Sequence, residues 1–453
     1  MTGGRPRVAV IGSGIAGLAT AWQLRDQAEV TLFESGQHFG GHAHTVDLTL
    51  SGIRHGVDVG FLVFNHRTYP GLTRLFDELG VATAPSDMSF SVQANGLEWC
   101  GSNLNAVFAQ RRNLLRPSFM GMLADLVRFN RMAQALAAQL PDPAHVTGQA
   151  IDAVAPAALD EPLGAFLERH RFGTRFRDDY LLPMLACIWS CPASQMLEFP
   201  LGSMLRFLHN HGLIRVVDRP QWHTVAGGSR AYVQRIVSAV PDARLSMPVR
   251  AVRRIPPASH DGAGHAGVWV DTAAGSERFD AAVLACHTDQ ALALLSDATP
   301  LERAVLGAIR WQANRIVLHT DAALLPQRQR AWAAWNYERA ALRDQEQARV
   351  CLHYLINRLQ PLPWRTPVVV SMNPVREPRA EHIHAEFSVT HPVFDQAAIE
   401  AQRKLPQIQG QGRVWFAGAW AGWGFHEDGL RAASAVVRDM LDSGLASHQA
   451  LAA

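Results

Sequence analysis

The chain has 453 residues, 48% of them hydrophobic and 18% charged, which excludes a disordered polyampholyte and predicts a large buried interior spread over two or three domains. Lys plus Arg number 42 against 40 for Asp plus Glu, a net charge of +2, so no strong field gathers phosphates and nucleic acid is not an expected partner. Lys404 is the only lysine; every other basic residue is arginine. The five cysteines, Cys100, Cys187, Cys191, Cys286 and Cys351, are scattered with no C-x-x-C pair, and read as reduced thiols of a cytoplasmic protein. The most apolar long run, Leu181 to Cys191, falls short of the about 18 to 20 residues that a spanning helix needs. Val8 to Ile11 breaks at glycines too soon for an export signal.

Arg7 to Ile11 reads as a short buried strand, followed by Gly12-Ser13-Gly14-Ile15-Ala16-Gly17 and a helical stretch through Leu24. In this strand, glycine turn and helix, Gly12 makes the tight turn, Gly14 admits a pyrophosphate to the backbone and Gly17 lets the helix pack on its strand. The helix N-terminus then faces the phosphates. A second β-rich run, Glu29 to Phe33, ends in Glu34 with Ser35 behind it; an acid there accepts hydrogen bonds from adenosine ribose hydroxyls and repels the 2′-phosphate of NADP. These rules leave FAD and NAD equally open.

Further along, Glu34-Ser-Gly-Gln-His-Phe-Gly40-Gly41-His42 and Asp58-Val-Gly60-Phe61-Leu62 resemble the flavoprotein superfamily of amine oxidases, protoporphyrinogen oxidase and phytoene-type desaturases. So does the far end, where a strand at Arg413 to Gly418 precedes Glu427-Asp428-Gly429 and a helix from Leu430 to Leu441. The resemblance implies non-covalent FAD, with Gly40 and Gly41 against its pyrophosphate, Gly60, Phe61 and Leu62 beneath the flavin, and Asp428, Gly429 and Leu430 at the flavin N1 and C2 edge. It also places the Val249 backbone near adenine. Two positions depart from the family pattern: His42 stands where relatives carry arginine, and Ala419, just after Gly418, where they carry an acid. A protonated His42 is expected to favour the pyrophosphate below about pH 6.5.

The implied fold is α/β, a Rossmann-like FAD-binding domain of the glutathione-reductase type, discontinuous over residues 1–85, 215–290 and 405–445. Strands are expected at Ser246 to Arg254, Val268 to Thr272 and Phe279 to Cys286. An α+β substrate domain, 86–214 and 291–404, is inserted. From Arg116 to Leu140, Phe119, Met122, Leu126, Phe129, Ala133 and Leu136 recur at helical spacing. That helix reads as a cap packed on the domain; the competing reading is a basic amphipathic face resting on the inner surface of the membrane. Strands at Arg315 to Thr320, Val368 to Met372 and His382 to Thr390 would wall a pocket, with Trp335, Tyr337, Asn357 and Gln360 as candidate lining.

No histidine sits at a metal-ligand spacing and no G-x-S-x-G elbow is present, so neither a metal site nor hydrolase chemistry is expected and redox work falls to the flavin. Amine oxidases of the superfamily commonly place a lysine near flavin N5, whereas Lys404 lies in a polar stretch before the last strand. The reading is therefore hydride transfer from a small hydrophobic substrate, of lipid or fatty-acyl type, to flavin N5. His426 is the first candidate for proton management, through its near-neutral titration, and Glu427 the second. An amine oxidase, and an FAD-binding protein without turnover, are the alternatives. A bacterial branch of the superfamily carrying similar Trp332 to Tyr337 and Asn357 to Gln360 segments tends to be associated with cyclopropane-fatty-acid-synthase-like methyltransferases, which implies acyl-chain chemistry. Oligomeric state is not legible.

Overall fold

The computed structural model describes residues 4–94, 96–139, 161–189, 193–215, 219–256, 266–339 and 350–445; Leu140 and Cys191 lie outside them. Five short strands form one parallel sheet in the order Val414–Phe416, Ala281–Leu284, Arg7–Ile11, Glu29–Phe33, Asp242–Arg244. Four of the five residues of Arg7–Ile11 and of Glu29–Phe33 are buried, as a parallel strand covered on both faces requires. The helices Ile15–Leu24 and His426–Asp442 pack against each other on one side of this sheet. An antiparallel sheet of Ala251–Ile255, Gly267–Thr272 and Gly275–Phe279 packs through a second core on the other.

The second large sheet has seven strands, ordered Ile383–Val393, Arg310–His319, Val369–Met372, Cys351–Leu355, Trp335–Glu338, Phe90–Ala94, Leu97–Cys100. All neighbours are antiparallel except Trp335–Glu338 beside Phe90–Ala94. Alternation divides its faces. Trp335, Tyr337, Leu352, Tyr354, Val370 and Met372 join the main core, while Asn336, Glu338, Cys351, His353 and Ser371 point the other way and are buried there. Together the two sheets give a Rossmann-like nucleotide-binding half and a substrate-side half.

Several expected elements are shifted: the strand read at Arg315 to Thr320 is Arg310–His319, and the run Phe279 to Cys286 is divided between the end of Gly275–Phe279 and Ala281–Leu284. The strand read from Ser246 begins only at Ala251, because Ser246 takes a positive φ of 53° and the segment before Ala251 bonds elsewhere: Ser246 and Met247 donate to the carbonyls of Gly36 and Glu34 at 3.1 and 2.8 Å. The last helix starts at His426 rather than Leu430. Asp428 accepts from the Phe425 N–H at 3.0 Å, capping the helix one turn earlier than apolar periodicity suggests. The predicted long helix is Pro117–Ala137, with Phe119, Met122, Phe129 and Ala133 on its buried face. No described helix is long and apolar enough to cross a membrane.

Candidate active site

The glycine turn is built by exclusion. A Cβ on Gly17 would lie 1.8 Å from the Gly12 carbonyl oxygen, and one on Gly12, whose φ is +103°, 2.6 Å from that of Ala285. Gly14 differs, because nothing lies within 4 Å of its missing Cβ. Space therefore opens in front of the helix Ile15–Leu24, whose first amides have no partner within the helix. Gly40 and Gly41 both have positive φ, and a Cβ on Gly41 would come 3.1 Å from Gly14 Cα, so the glycine pair closes over the turn. From a third direction Gly429 brings in the last helix: its Cβ would meet Ile15 Cγ2 at 2.7 Å and the nitrogens of Ala419 and Ala16 at 3.5 and 3.6 Å. Two helix N-termini thus converge on one spot, an electropositive cradle suited to a pyrophosphate.

Glu34 closes one end of the cradle. Its Oε2 accepts from the Ser13 N–H at 3.0 Å and from the Ser13 hydroxyl, and its Oε1 from the Gly36 N–H at 2.7 Å. Ser13 Oγ in turn accepts from the Gly40 N–H at 3.1 Å, tying the ribose acid to the glycine pair. Ser35 reaches Glu34 only at 3.5 Å. Val249 follows the segment that bonds to the Glu34 and Gly36 carbonyls, which places it beside this end. Gly418 lies two residues past the last strand, and a Cβ there would strike the Trp420 ring, whose Nε1 donates to Cys286 O at 3.0 Å.

At the other end, Gly60 packs against the His42 carbonyl, 2.1 Å from where its Cβ would be, and the Phe61 N–H donates to that oxygen at 2.7 Å. The Phe61 ring stacks on His426, centroids 3.6 Å apart; Leu62 is buried behind it. His426 Nε2 lies 3.1 Å from Tyr232 Oη. Burial pushes the His426 pKa down to about 3, with His42 nearby adding to the shift, so the expected near-neutral titration gives way to a permanently neutral ring. His42 is also held below its ordinary range by burial, opposed by a backbone bond to Thr390. Its ring is 5.2 Å from His391, and its buried Nε2 has no partner among the described residues. Burial thus opposes the protonation of His42 that would favour a pyrophosphate, and one ring nitrogen is left unspent in the cradle among the described residues.

Glu427 is spent on structure. Its two oxygens accept from the N–H groups of Gly71 and Leu72, each at 2.9 Å, which caps the helix Pro70–Leu79. Asp428 holds the Phe425 amide and Arg431. Among the predicted pocket residues, Gln360 is locked to Asp58, accepting from its N–H at 2.9 Å and donating to its carboxylate at 2.8 Å. Asp58 also accepts from Ser229 and Thr45, and burial raises its pKa to about 6 against those bonds. Asn357 stitches its own turn to Trp364, Thr366 and Val368. Tyr337 is in the core. Trp335 meets Tyr354 edge to face at 5.0 Å, and its buried Nε1 has no partner among the described residues.

Sequence reading missed the surroundings of His426. Phe425 stacks with Phe207 at 5.0 Å, Phe207 meets Trp189 at 4.7 Å, and Trp423 sits against both Trp189 and Phe199. His211, stacked on Phe207 at 4.0 Å, is held neutral by burial with a pKa of about 4. The helix Leu201–Asn210 carries an apolar stripe that could have flagged Phe207; nothing in the spacing ties it to position 426. A metal site was likewise not read from spacing, yet Glu338, Cys351 and His353 bring donor atoms within 4.8 Å of one another. Those donors are already used: His353 bonds Glu338 at 2.9 Å and Ser371 at 2.6 Å, and Arg376 holds the other Glu338 oxygen. A solvent-facing cavity of about 270 Å³ beside His66, Arg67, Arg219 and His223 touches none of the predicted site residues.

The model of the flavin-containing amine oxidoreductase family matches residues 15–329. The chain belongs to that family. FAD is its cofactor, and the protein is an FAD-dependent oxidoreductase; the open Gly14, the convergent helix N-termini and the unspent His42 nitrogen fit such a group. Among solved structures, the CLA-producing fatty acid isomerase from P. acnes is 16% identical with a TM-score of 0.67, over 96% of this chain and 98% of that one. Cyclohexylamine oxidase from Brevibacterium oxydans is 17% identical (TM-score 0.64, 97% and 100% covered), and a putrescine oxidase variant redesigned in cofactor binding 15% (0.67, 97% and 99%). These likenesses are of fold. No curated protein matches the chain.

Proposed function

We propose that this oxidoreductase removes two hydrogen atoms from a hydrophobic substrate of fatty-acyl type, as a dehydrogenase or desaturase does, one leaving as a hydride to the two-electron acceptor and the other as a proton to solvent. The supporting observation is the aromatic cluster beside His426: the half-buried Phe61, Phe425 and Trp423 rest on the buried Phe207 and Trp189, and the imidazoles among them, His426 and His211, are held neutral. Its half-buried rings are of the kind that orient and dry an uncharged chain. It offers no free carboxylate to an ammonium group, since Glu427 and Asp428 are committed to backbone amides and Arg431. Lys404, the one lysine, is exposed at the end of the helix Gln396–Lys404, which speaks against the lysine-assisted amine oxidase arrangement.

When bound, FAD supplies the two-electron acceptor. The residues we assign to holding it are Gly12 to Gly17 and Gly429 at the pyrophosphate, Glu34 at the ribose, and His42 through its free nitrogen. His426 acts as a neutral positioning group, fixed by Tyr232 and stacked on Phe61, rather than as a titrating base. The test is mass spectrometry of acyl chains incubated with the holoenzyme and an artificial electron acceptor. Products lacking two hydrogen atoms are expected. Unaltered acyl chains, with an amine such as putrescine or cyclohexylamine oxidised instead, would establish the amine oxidase reading.

A further inference from the structure

Eight large apolar side chains are exposed among the described residues, and five belong to one stretch: Leu104 (76% exposed), Leu114 (51%), Leu115 (88%), Met120 (44%) and Val127 (50%). The others, Ile53, Leu245 and Leu301, are far from it in sequence. The stretch comprises the short helix Leu104–Val107, the 3-10 turn Arg111–Leu115 and the first half of the helix Pro117–Ala137. It is held rigidly from beneath. Phe119 and Met122 are buried, the Trp99 and Phe108 rings pack on Phe119, and Gln110 and Arg112 both donate to the Gly96 carbonyl.

Charge is as lopsided as hydropathy. Between Glu98 and Asp125 there is no acidic residue, and from position 99 to 131 the chain carries Arg111, Arg112, Arg116, Arg128 and Arg131 against Asp125 alone. Asp125 is paired with Arg128 at 2.9 Å; none of the other four arginines has a carboxylate partner among the described residues. Exposed apolar side chains interleaved with unpaired guanidiniums on a fixed helical platform suit a bilayer interface, where apolar groups enter the acyl layer and arginines meet anionic headgroups. A protein partner of ordinary composition would leave that excess positive charge uncompensated.

We propose that residues 104–131 are a docking element for the surface of an anionic lipid bilayer. The proposal stands on exposure and charge alone and holds for any substrate. Its test is co-sedimentation of the FAD-loaded protein with phosphatidylcholine vesicles, with and without phosphatidylglycerol. The wild type is expected to bind vesicles containing phosphatidylglycerol and to release as salt rises. Leu114→Ser/Leu115→Ser should lower partitioning at least about tenfold, and Arg111→Gln/Arg112→Gln should weaken it and flatten its salt dependence. Ile53→Ser, a change at an exposed apolar residue elsewhere, should bind as the wild type does. All these positions are on the surface, and unchanged melting and flavin content would verify folding. Absence of wild-type binding at low salt, binding by the double leucine variant equal to wild type, or self-association that the same variant abolishes would overturn the proposal. Vesicle binding is read without turnover, so it succeeds or fails separately from the acyl substrate reading.

Discussion

The two large sheets treat buried polar groups in opposite ways. Around the parallel sheet, polar capacity is left open: first-turn amides behind Gly14, a bare nitrogen on His42, and two helix ends aimed at the same space. On the outer face of the seven-stranded sheet it is used up internally, through Arg376, Glu338, His353, Ser371 and His319 in succession. Asp321 donates its N–H to His319 Nδ1 at 3.1 Å, so in the neutral His319 the proton is on Nε2, which points at Ser371. The difference separates a surface prepared for a ligand from a layer that only stabilises, and it explains why convergent Glu, Cys and His donors need not mean a metal.

The largest effects should come from glycines that admit only hydrogen. Gly17→Ala would drive a methyl group into the Gly12 carbonyl, and is expected to yield little folded protein, a loss of several kcal/mol or more on the scale of about 4 to 5 for severe core changes. Gly14→Val, where space is open, should by contrast fold and melt as apoprotein but purify with much less flavin, read as the ratio of visible to protein absorbance. Equal flavin in the Gly14 variant and the wild type would erase the distinction between the sheets.

Next in size is Glu338→Ala, which leaves Arg376 and His353 without their shared carboxylate. Breaking a buried pair costs about 3 to 5 kcal/mol, visible in urea unfolding, whereas flavin per folded protein should not change. Glu427→Ala should cost less, about 0.5 to 2 kcal/mol for the lost cap on the Gly71 and Leu72 amides. Since Glu427 braces a helix, the flavin reduction rate of the surviving folded fraction should stay near wild type; a large loss in that rate would return Glu427 to catalysis.

The smallest effect is a pH dependence. Burial alone would lower the His353 pKa, but Cys351 and Glu338 outweigh it and raise it to about 9. A raised folded pKa gives stability that is complete below the ordinary histidine value near 6.5 and is lost as pH climbs through about 9. For Glu338, burial is outweighed by His353 and Arg376 and the pKa falls, so its share is present above the ordinary glutamate range and fades as acid protonates it. Stability should sag on the alkaline side, and Glu338→Gln should flatten that limb. His426, neutral above about 3, should add no break to a rate profile between about pH 5 and 8.

How much was legible follows from chain distance. The strand, glycine turn, helix and ribose acid lie within Arg7 to Glu34, and their spacing alone fixes their geometry; the parallel sheet and its turn appear where the pattern puts them. The substrate-side strands were readable singly, but not their order: Phe90–Ala94 pairs with Trp335–Glu338, which no local periodicity encodes. Gln360 looked like a pocket residue because a polar side chain among aromatics is conspicuous, yet its partner Asp58 is 302 positions away. His426 was found by its place before a predicted helix, while its neutrality comes from Phe61, Tyr232 and burial, none of them visible in the stretch around it. The same limit hid the aromatic cluster, assembled from four separate segments.

The most direct test is the visible spectrum of the purified protein, followed anaerobically as a total lipid extract is added. The account predicts a bound flavin band that bleaches with the lipid fraction and is unmoved by putrescine or cyclohexylamine. A flavin band that ignores lipids and bleaches with an amine would contradict it.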